Sequence, residues 1–262
     1  MRKRLRPLVL CYHAVSDRWE DPLAVSLSAF ERQLHGLLAR GYRPVSTAEA
    51  VTGNGRLLHV TFDDAFRSVA TALPVLRQLG VPATVFACPG FAEDGGIFDV
   101  PDLGPQLPEN AEHLATMNWS LLRELVESGV DVGSHTLTHP HLTRLDDGEL
   151  RRELQESRER LEDELGVQCR FLAYPFGDED ARVRAAARSS GYDAAFALPG
   201  DQRSSDPYAV PRVGIWRSDG TRRVALKTSA AGRRLLLDPL TSARKRWPDI
   251  GRGGRRVAAR ET

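Results

Sequence analysis

Two adjacent carboxylates close the apolar run Leu57–Phe62, in Thr61-Phe62-Asp63-Asp64. Side chains alternate in direction as a chain leaves a strand, so one carboxylate can hold a cation while its neighbour faces a substrate. A second group, Ser134-His135-Thr136-Leu137-Thr138-His139, follows the run Asp131–Gly133. Imidazoles four apart on one helical turn share a side, within reach of one metal ion, and neutral imidazole is a common ligand for zinc and similar ions. A third group is Phe171-Leu172-Ala173-Tyr174-Pro175-Phe176-Gly177. Pro175 and Gly177 around an aromatic residue fix a tight loop, which can offer backbone N–H groups to an oxyanion and a wall to a ligand. The fourth is His13, where the run Leu8–Tyr12 should meet solvent.

Taken singly, each has a plainer reading. Asp64 can cap a helix starting near Ala65, His135 and His139 can be a surface pair, Tyr174–Gly177 an aromatic turn and His13 a packing residue. His141, after Pro140, reads as a bystander. Together they form a kit for metal-assisted hydrolysis of an amide or ester. One carboxylate of the Asp63-Asp64 pair, with His135 and His139, makes a two-histidine, one-carboxylate triad with open positions for water and substrate. The other carboxylate supplies a base and a separate histidine an acid. Zn²⁺ is the default ion, and Fe²⁺, Co²⁺, Ni²⁺ or Mn²⁺ suits the same donors.

The elements that must position these groups alternate. Short apolar runs are expected as strands at Leu8–Tyr12, Leu57–Phe62, Ala83–Ala87, Asp131–Gly133, Phe171–Ala173, Ala194–Ala197 and Ala209–Gly214. Amphipathic segments are expected as helices at Leu27–Arg40, Ala65–Gln78, Ser120–Ser128, Asp146–Leu165 and Ala181–Ser189. Gly41, Gly80, Gly129, Gly166 and Gly191 stand where those helices should close. This alternation means parallel βαβ units, with chemistry at the strand ends. The α/β class follows, with about seven strands suggesting a closed barrel. Pro89–Asn118 breaks the rhythm and is expected as a long loop beside the site.

The chain has 262 residues, enough for one sizeable domain, with 41% hydrophobic and 27% charged residues. A net charge of +1 gives no sign of a nucleic-acid partner. The charge is unevenly spread: from Asp219 to Thr262 there are 12 Lys/Arg against 4 Asp/Glu. Residues 1–218 are therefore expected as the catalytic domain. Residues 219–262 are expected as a basic, partly disordered tail with one weakly helical segment, Val224–Leu237. Such a tail can touch an anionic membrane surface, a nucleic acid or a partner enzyme. Cys11, Cys88 and Cys169 are odd in number and form no Cys-x-x-Cys pair, which argues against a disulfide framework or a cysteine zinc site. The apolar run after the basic Met1–Arg6 is too short for a signal-peptide core, and no run reaches a membrane span. A cytoplasmic location, or the inner membrane face, is the expectation.

At this point the chain resembles the polysaccharide deacetylases, also called the NodB homology domain or carbohydrate esterase family four. The resemblance rests on Thr61-Phe62-Asp63-Asp64, on Ser-His-x-x-x-His at His135 and His139, and on Tyr174-Pro175-Phe176-Gly177, in that order. It covers roughly residues 7 to 216 and implies a distorted (β/α) barrel of about seven parallel strands. It also implies an N-acetylated sugar as substrate. Position by position, Asp63 resembles the base, Asp64, His135 and His139 the metal ligands, and the Phe176 N–H the oxyanion donor, with Tyr174 and Pro175 at the substrate. Two departures stand out. The family's usual Arg-Pro-Pro-Tyr-Gly has Ala173 at its Arg position, and Arg212 in Val210-Pro211-Arg212-Val213 is the candidate to steady the base instead. The usual late Leu-x-His motif is absent. The chain is similar to a subgroup that begins with Tyr-His and appears circularly permuted, which implies His13 as the acid. Two alternatives remain open from sequence: an amidase or esterase on another acyl substrate, and an inactive sugar-binding module that kept the fold.

Overall fold

A computed structural model describes residues 6–93, 95–100, 111–200, 204–229 and 231–233. The chain opens with β1 (Leu8–Tyr12), then the short β2 (Ala14–Val15) and β3 (Ala24–Val25), helix α1 (Leu27–Ala39), β4 (Arg43–Pro44) and α2 (Thr47–Thr52). Next come β5 (Leu57–Phe62), α3 (Leu73–Leu79), β6 (Ala83–Ala87), α4 (Trp119–Glu127), β7 (Asp131–Ser134) and α5 (Asp147–Leu165). The chain continues through β8 (Phe171–Ala173), α6 (Ala181–Ser189), β9 (Ala194–Ala197), β10 (Val210–Pro211), β11 (Val213–Gly214) and α7 (Thr221–Lys227).

The main sheet runs β10-β9-β8-β7-β6-β5-β1-β11, with β4 beside β5, and its pairs are parallel. The expected seventh strand, Ala209–Gly214, is split at Arg212, and the split nearly closes the barrel. Val210 pairs with Phe196 on β9, and three residues on, Val213 pairs with Leu10 on β1. One stretch of chain thus spans both edges of the sheet. Pro211 has no N–H to extend a ladder, and the Arg212 N–H donates to the Ala197 carbonyl.

The run of β1 is apolar without alternation because both faces of a parallel strand are buried, whereas β5 turns His59 and Thr61 towards the interior. Leu8, Leu10 and Tyr12, with Leu58, Val60 and Phe62, pack outward in the larger core cluster shared with the helices. Val9, Leu57, Phe86, Phe171, Ala173, Phe196 and Val210 form a second cluster that fills the barrel. Gly133 lets that filling fit, since a Cβ there would lie 2.6 Å from the Phe86 ring. Below the apolar layer, a buried polar network plugs the far end. His59 accepts at Nε2 from the Thr84 hydroxyl at 2.8 Å and donates from Nδ1 to the Val45 carbonyl at 2.9 Å, while the Thr47 hydroxyl bonds Asp131.

That plug makes the fold acid-sensitive. Burial, opposed by the Val45 carbonyl and Asp131, pushes the His59 pKa down to about 4, against about 6.5 unfolded. Between those values the unfolded chain binds the extra proton, so stability present above pH 6.5 is lost as pH falls towards 4, by about 3 kcal/mol. His59→Gln should lack this share of the pH dependence; parallel chemical denaturation at pH 7 and pH 4.5 checks it.

Two helices differ from expectation. Ala65–Gln78 is a 3₁₀ turn, Arg67–Ala72, followed by α3, because Asp64 and Ala65 take left-handed φ of 67° and 49° and no helix can start there. The expected helix Val224–Leu237 begins earlier, as α7, and residues 234–262 lie outside the described residues. The described start of that segment packs on the barrel. The buried Asp219 pairs with Lys227 and accepts from the Trp216 N–H, and Gln33 donates to the Asp219 carbonyl. Among the described residues no helix is long and apolar enough to cross a membrane.

Candidate active site

The site forms at the strand ends opposite the His59 plug. Leu57, His59 and Thr61 face the barrel interior, and Asp63 continues that face, its N–H donating to the Tyr12 carbonyl at 2.9 Å. The left-handed turn at Asp64 then sends the second carboxylate another way. The same alternation along β1 brings Cys11 and His13 to the site, and along β7 brings His135.

Asp64 Oδ1 lies 3.4 Å from His135 Nε2 and 3.5 Å from His139 Nε2, and all three side chains are buried. Two ligands at about 2.1 Å from one tetrahedral ion stand about 3.4 Å apart. Asp64 Oδ1 makes no hydrogen bond although it is buried, which fits an oxygen whose partner is a cation. His135 Nδ1 lies 2.8 Å from the Ala173 carbonyl; donation to it leaves Nε2 with its lone pair towards Asp64. The donor chemistry and spacing therefore fit a divalent metal.

The spacing of the two histidines does not come from a helical turn. Residues 135–139 are an irregular loop, with Thr136 at φ 68° and His139 at φ 63°. Side chains satisfy its amides. Thr136 N–H donates to Ser134 Oγ, Leu137 and Thr138 N–H to Glu153 Oε2, and His139 N–H to Thr136 Oγ1. Glu153, from α5, is a residue sequence reasoning missed.

Asp63 is gripped by Arg212, whose Nη1 donates to Oδ1 at 2.6 Å and Nη2 to Oδ2 at 2.8 Å. This bidentate fork is the geometry arginine offers a carboxylate. Arg212 is fully buried, and its Nη1 also donates to Thr61 Oγ1. Burial would raise the Asp63 pKa, but the Arg212 charge and hydrogen bonds, with help from His135, hold it well below the usual carboxylate range. Burial would likewise raise Asp64, and the His135 and His139 rings outweigh it. Cys11 Sγ donates to Asp63 Oδ2 at 3.3 Å, another contact sequence reasoning missed. Burial, reinforced by Asp63 against Arg212, pushes that thiol far up, so it stays protonated.

Donor atoms of Cys11, His13 and Asp63 lie within 4.8 Å of one another, and the His13 ring stacks on Trp216 at 5.2 Å. Burial lowers the His13 pKa, against the raising pull of Asp64 and Asp63. The Tyr174–Gly177 turn stands on the other side. Phe176 takes φ 58°, with its ring 4.6 Å from His139 and stacked 4.1 Å from His141. Gly177 is required there, because a Cβ would sit 1.8 Å from the Leu198 carbonyl oxygen. Pro175 is buried and shapes the turn. Tyr174, expected at the substrate, is a core residue instead: it is fully buried and its hydroxyl donates to the Tyr208 carbonyl. The Pro89–Asn118 segment does reach the site, since Phe98 meets the His139 ring edge-on at 5.1 Å; residues 101–110 lie outside the described residues.

A nearly closed parallel barrel with two histidines and two carboxylates at its strand ends defines a hydrolase-type site. Residues 50–195 match the family described as polysaccharide deacetylase, and the chain belongs to that family. It is 23% identical over 217 residues to YxkH of Bacillus subtilis, a candidate polysaccharide deacetylase, covering 79% of this chain and 70% of that one. A polysaccharide deacetylase structure from Bacillus cereus superposes with a TM-score of 0.67 at 25% identity, covering 85% of this chain and 68% of the other. IcaB from Ammonifex degensii superposes with a TM-score of 0.68 at 28% identity, covering 85% of this chain and 97% of the other.

Proposed function

We propose that this family member is a metal-dependent hydrolase that removes N-acetyl groups from the sugars of a polysaccharide, oligosaccharide or glycolipid precursor. The observation that carries the proposal is the meeting of Asp64, His135 and His139 at ligand spacing, beside a second carboxylate held ionised by a buried arginine. A purely structural metal site has no use for that second carboxylate, which speaks against an inactive binding module.

Asp64, His135 and His139 would hold the ion, with Zn²⁺ the first choice. When bound, it supplies Lewis-acid polarisation of the acyl oxygen and acidifies a water. Asp63 takes a proton from the attacking water as the water oxygen bonds to the acyl carbon. Arg212 keeps Asp63 charged and aimed. The Phe176 N–H donates to the oxyanion that develops. The carbon–nitrogen bond breaks as His13 protonates the leaving amine. Burial lowers the His13 pKa, and the proton Asp63 collects replaces the one His13 gives up; their donor atoms lie within 4.8 Å. Acetate and a free amino sugar leave.

Purified protein should release acetate from N-acetylglucosamine oligomers, lose that activity to a chelator and regain it with Zn²⁺ or Co²⁺. Metal bound at one equivalent without release would turn the proposal towards another acyl substrate. Neither release nor bound metal would overturn it.

A further inference from the structure

The loop that carries both histidines has no regular structure of its own to hold it. Its two left-handed residues, Thr136 and His139, are conformations that side-chain-bearing residues keep only when their surroundings enforce them. The enforcement comes from one helix. Along α5 the buried stripe is Leu150, Glu153, Leu154, Ser157 and Leu161. Two of its members, one turn apart, are polar.

Ser157 Oγ bonds Ser134 Oγ at 2.7 Å, and Ser134 Oγ in turn accepts the Thr136 N–H at 3.1 Å. Glu153 Oε2 accepts from both Leu137 N–H and Thr138 N–H at 2.9 Å, and its Oε1 accepts the Thr138 hydroxyl at 2.6 Å. The carboxylate is 3% exposed. Three donors from two consecutive residues converge on it, midway between His135 and His139. The loop is tied on its other side as well, where Gly90 N–H donates to the Leu137 carbonyl at 2.9 Å.

We propose that Glu153 is a positioning residue that sets metal affinity by fixing the 135–139 loop in its ligand-presenting conformation. The inference rests on the metal reading of Asp64, His135 and His139 given above. Glu153 touches neither metal ligand through its side chain; it acts through the amides of Leu137 and Thr138. Glutamine fills the same volume and keeps one acceptor oxygen, but it loses the charge that strengthens these bonds and its amide nitrogen must reverse the Thr138 hydroxyl bond. Residues that orient metal ligands in this way change affinity by about 10- to 100-fold when replaced.

Zn²⁺ affinity of wild type and Glu153→Gln, measured by competition with a chromophoric chelator, tests this. Circular dichroism and melting in EDTA serve as the fold control. The expected result is a Kd raised by about 10- to 100-fold in a variant whose metal-free fold is intact. A variant that melts earlier in EDTA yet binds Zn²⁺ as tightly as wild type overturns the proposal, because Glu153 would then serve stability alone. Should Glu153→Gln fail to fold, Thr138→Val removes only the hydroxyl bond to Oε1 and should raise the Kd several-fold; an unchanged Kd there overturns the proposal. His135→Ala separates the two readings. If wild type binds no Zn²⁺, or His135→Ala binds it equally well, the metal reading itself falls and this inference falls with it.

Discussion

Asp63→Asn should cut acetate release at least about a thousandfold, within the range that positioned proton transfer contributes, while the protein keeps its full metal content. Asparagine has nearly the shape of aspartate and leaves Asp64, His135 and His139 untouched, so the ion keeps its three donors. What it loses is basicity: an amide cannot take a proton from water at neutral pH. Asp64→Asn is the natural contrast, because the lost charge belongs to a ligand and both metal and activity should go. Turnover measured alongside metal content by elemental analysis distinguishes them. Loss of metal from Asp63→Asn would move Asp63 into the ligand set; turnover near wild type would leave the base to be found elsewhere, with His13 the first candidate.

The meeting of Asp63 and Asp64 at one site was legible in sequence for a reason that other parts of the site lack. A strand end imposes alternation, and a pair of carboxylates there has few structural uses. Every expected strand is present, Ala209–Gly214 as the pair β10 and β11, because parallel strands buried on both faces favour apolar runs such as Leu8–Tyr12. The strands that escaped notice are β2, β3 and β4, at two residues each too short to carry a pattern. The His-x-x-x-His spacing pointed to two rings that do meet at Asp64, but not through a helical turn: they converge through two left-handed residues, which leave no mark on composition. Glu153 was invisible because α5 is full of glutamate and arginine, and only the three-dimensional position of the loop makes one glutamate different. Tyr174 was misplaced because an aromatic residue in a turn looks alike whether its hydroxyl faces a ligand or the Tyr208 carbonyl. Arg212 could be suspected from its place in an apolar strand, where a charge must find a partner.

That partner makes Arg212→Met the most destabilising of the substitutions considered. Methionine fills much of the space but leaves Asp63, itself only 2% exposed, without its bidentate partner. Breaking a buried pair from one side costs about 3–5 kcal/mol, since an uncompensated charge remains. The pH dependence identifies the cause. In wild type the Asp63 pKa is depressed, so its pairing with Arg212 stabilises the fold above the unfolded value of about 3.9, and this is lost only as pH falls through the lower folded value. In Arg212→Met nothing offsets burial to the same degree, and the Asp63 pKa rises. The stability gap between the two proteins should therefore be widest near pH 7 and narrow towards pH 4, where the variant's carboxyl takes up its proton. The acidic limb of its acetate-release profile should move to higher pH in step. The double variant Asp63→Asn/Arg212→Met should recover part of the lost stability, because it removes both charges and not just one. Chemical denaturation of metal-free protein across this pH range provides the measurement. A gap that stays constant with pH, and a double variant no more stable than Arg212→Met alone, would mean that the arginine matters for the volume it fills at the seam of the barrel and not for the charge it presents to Asp63.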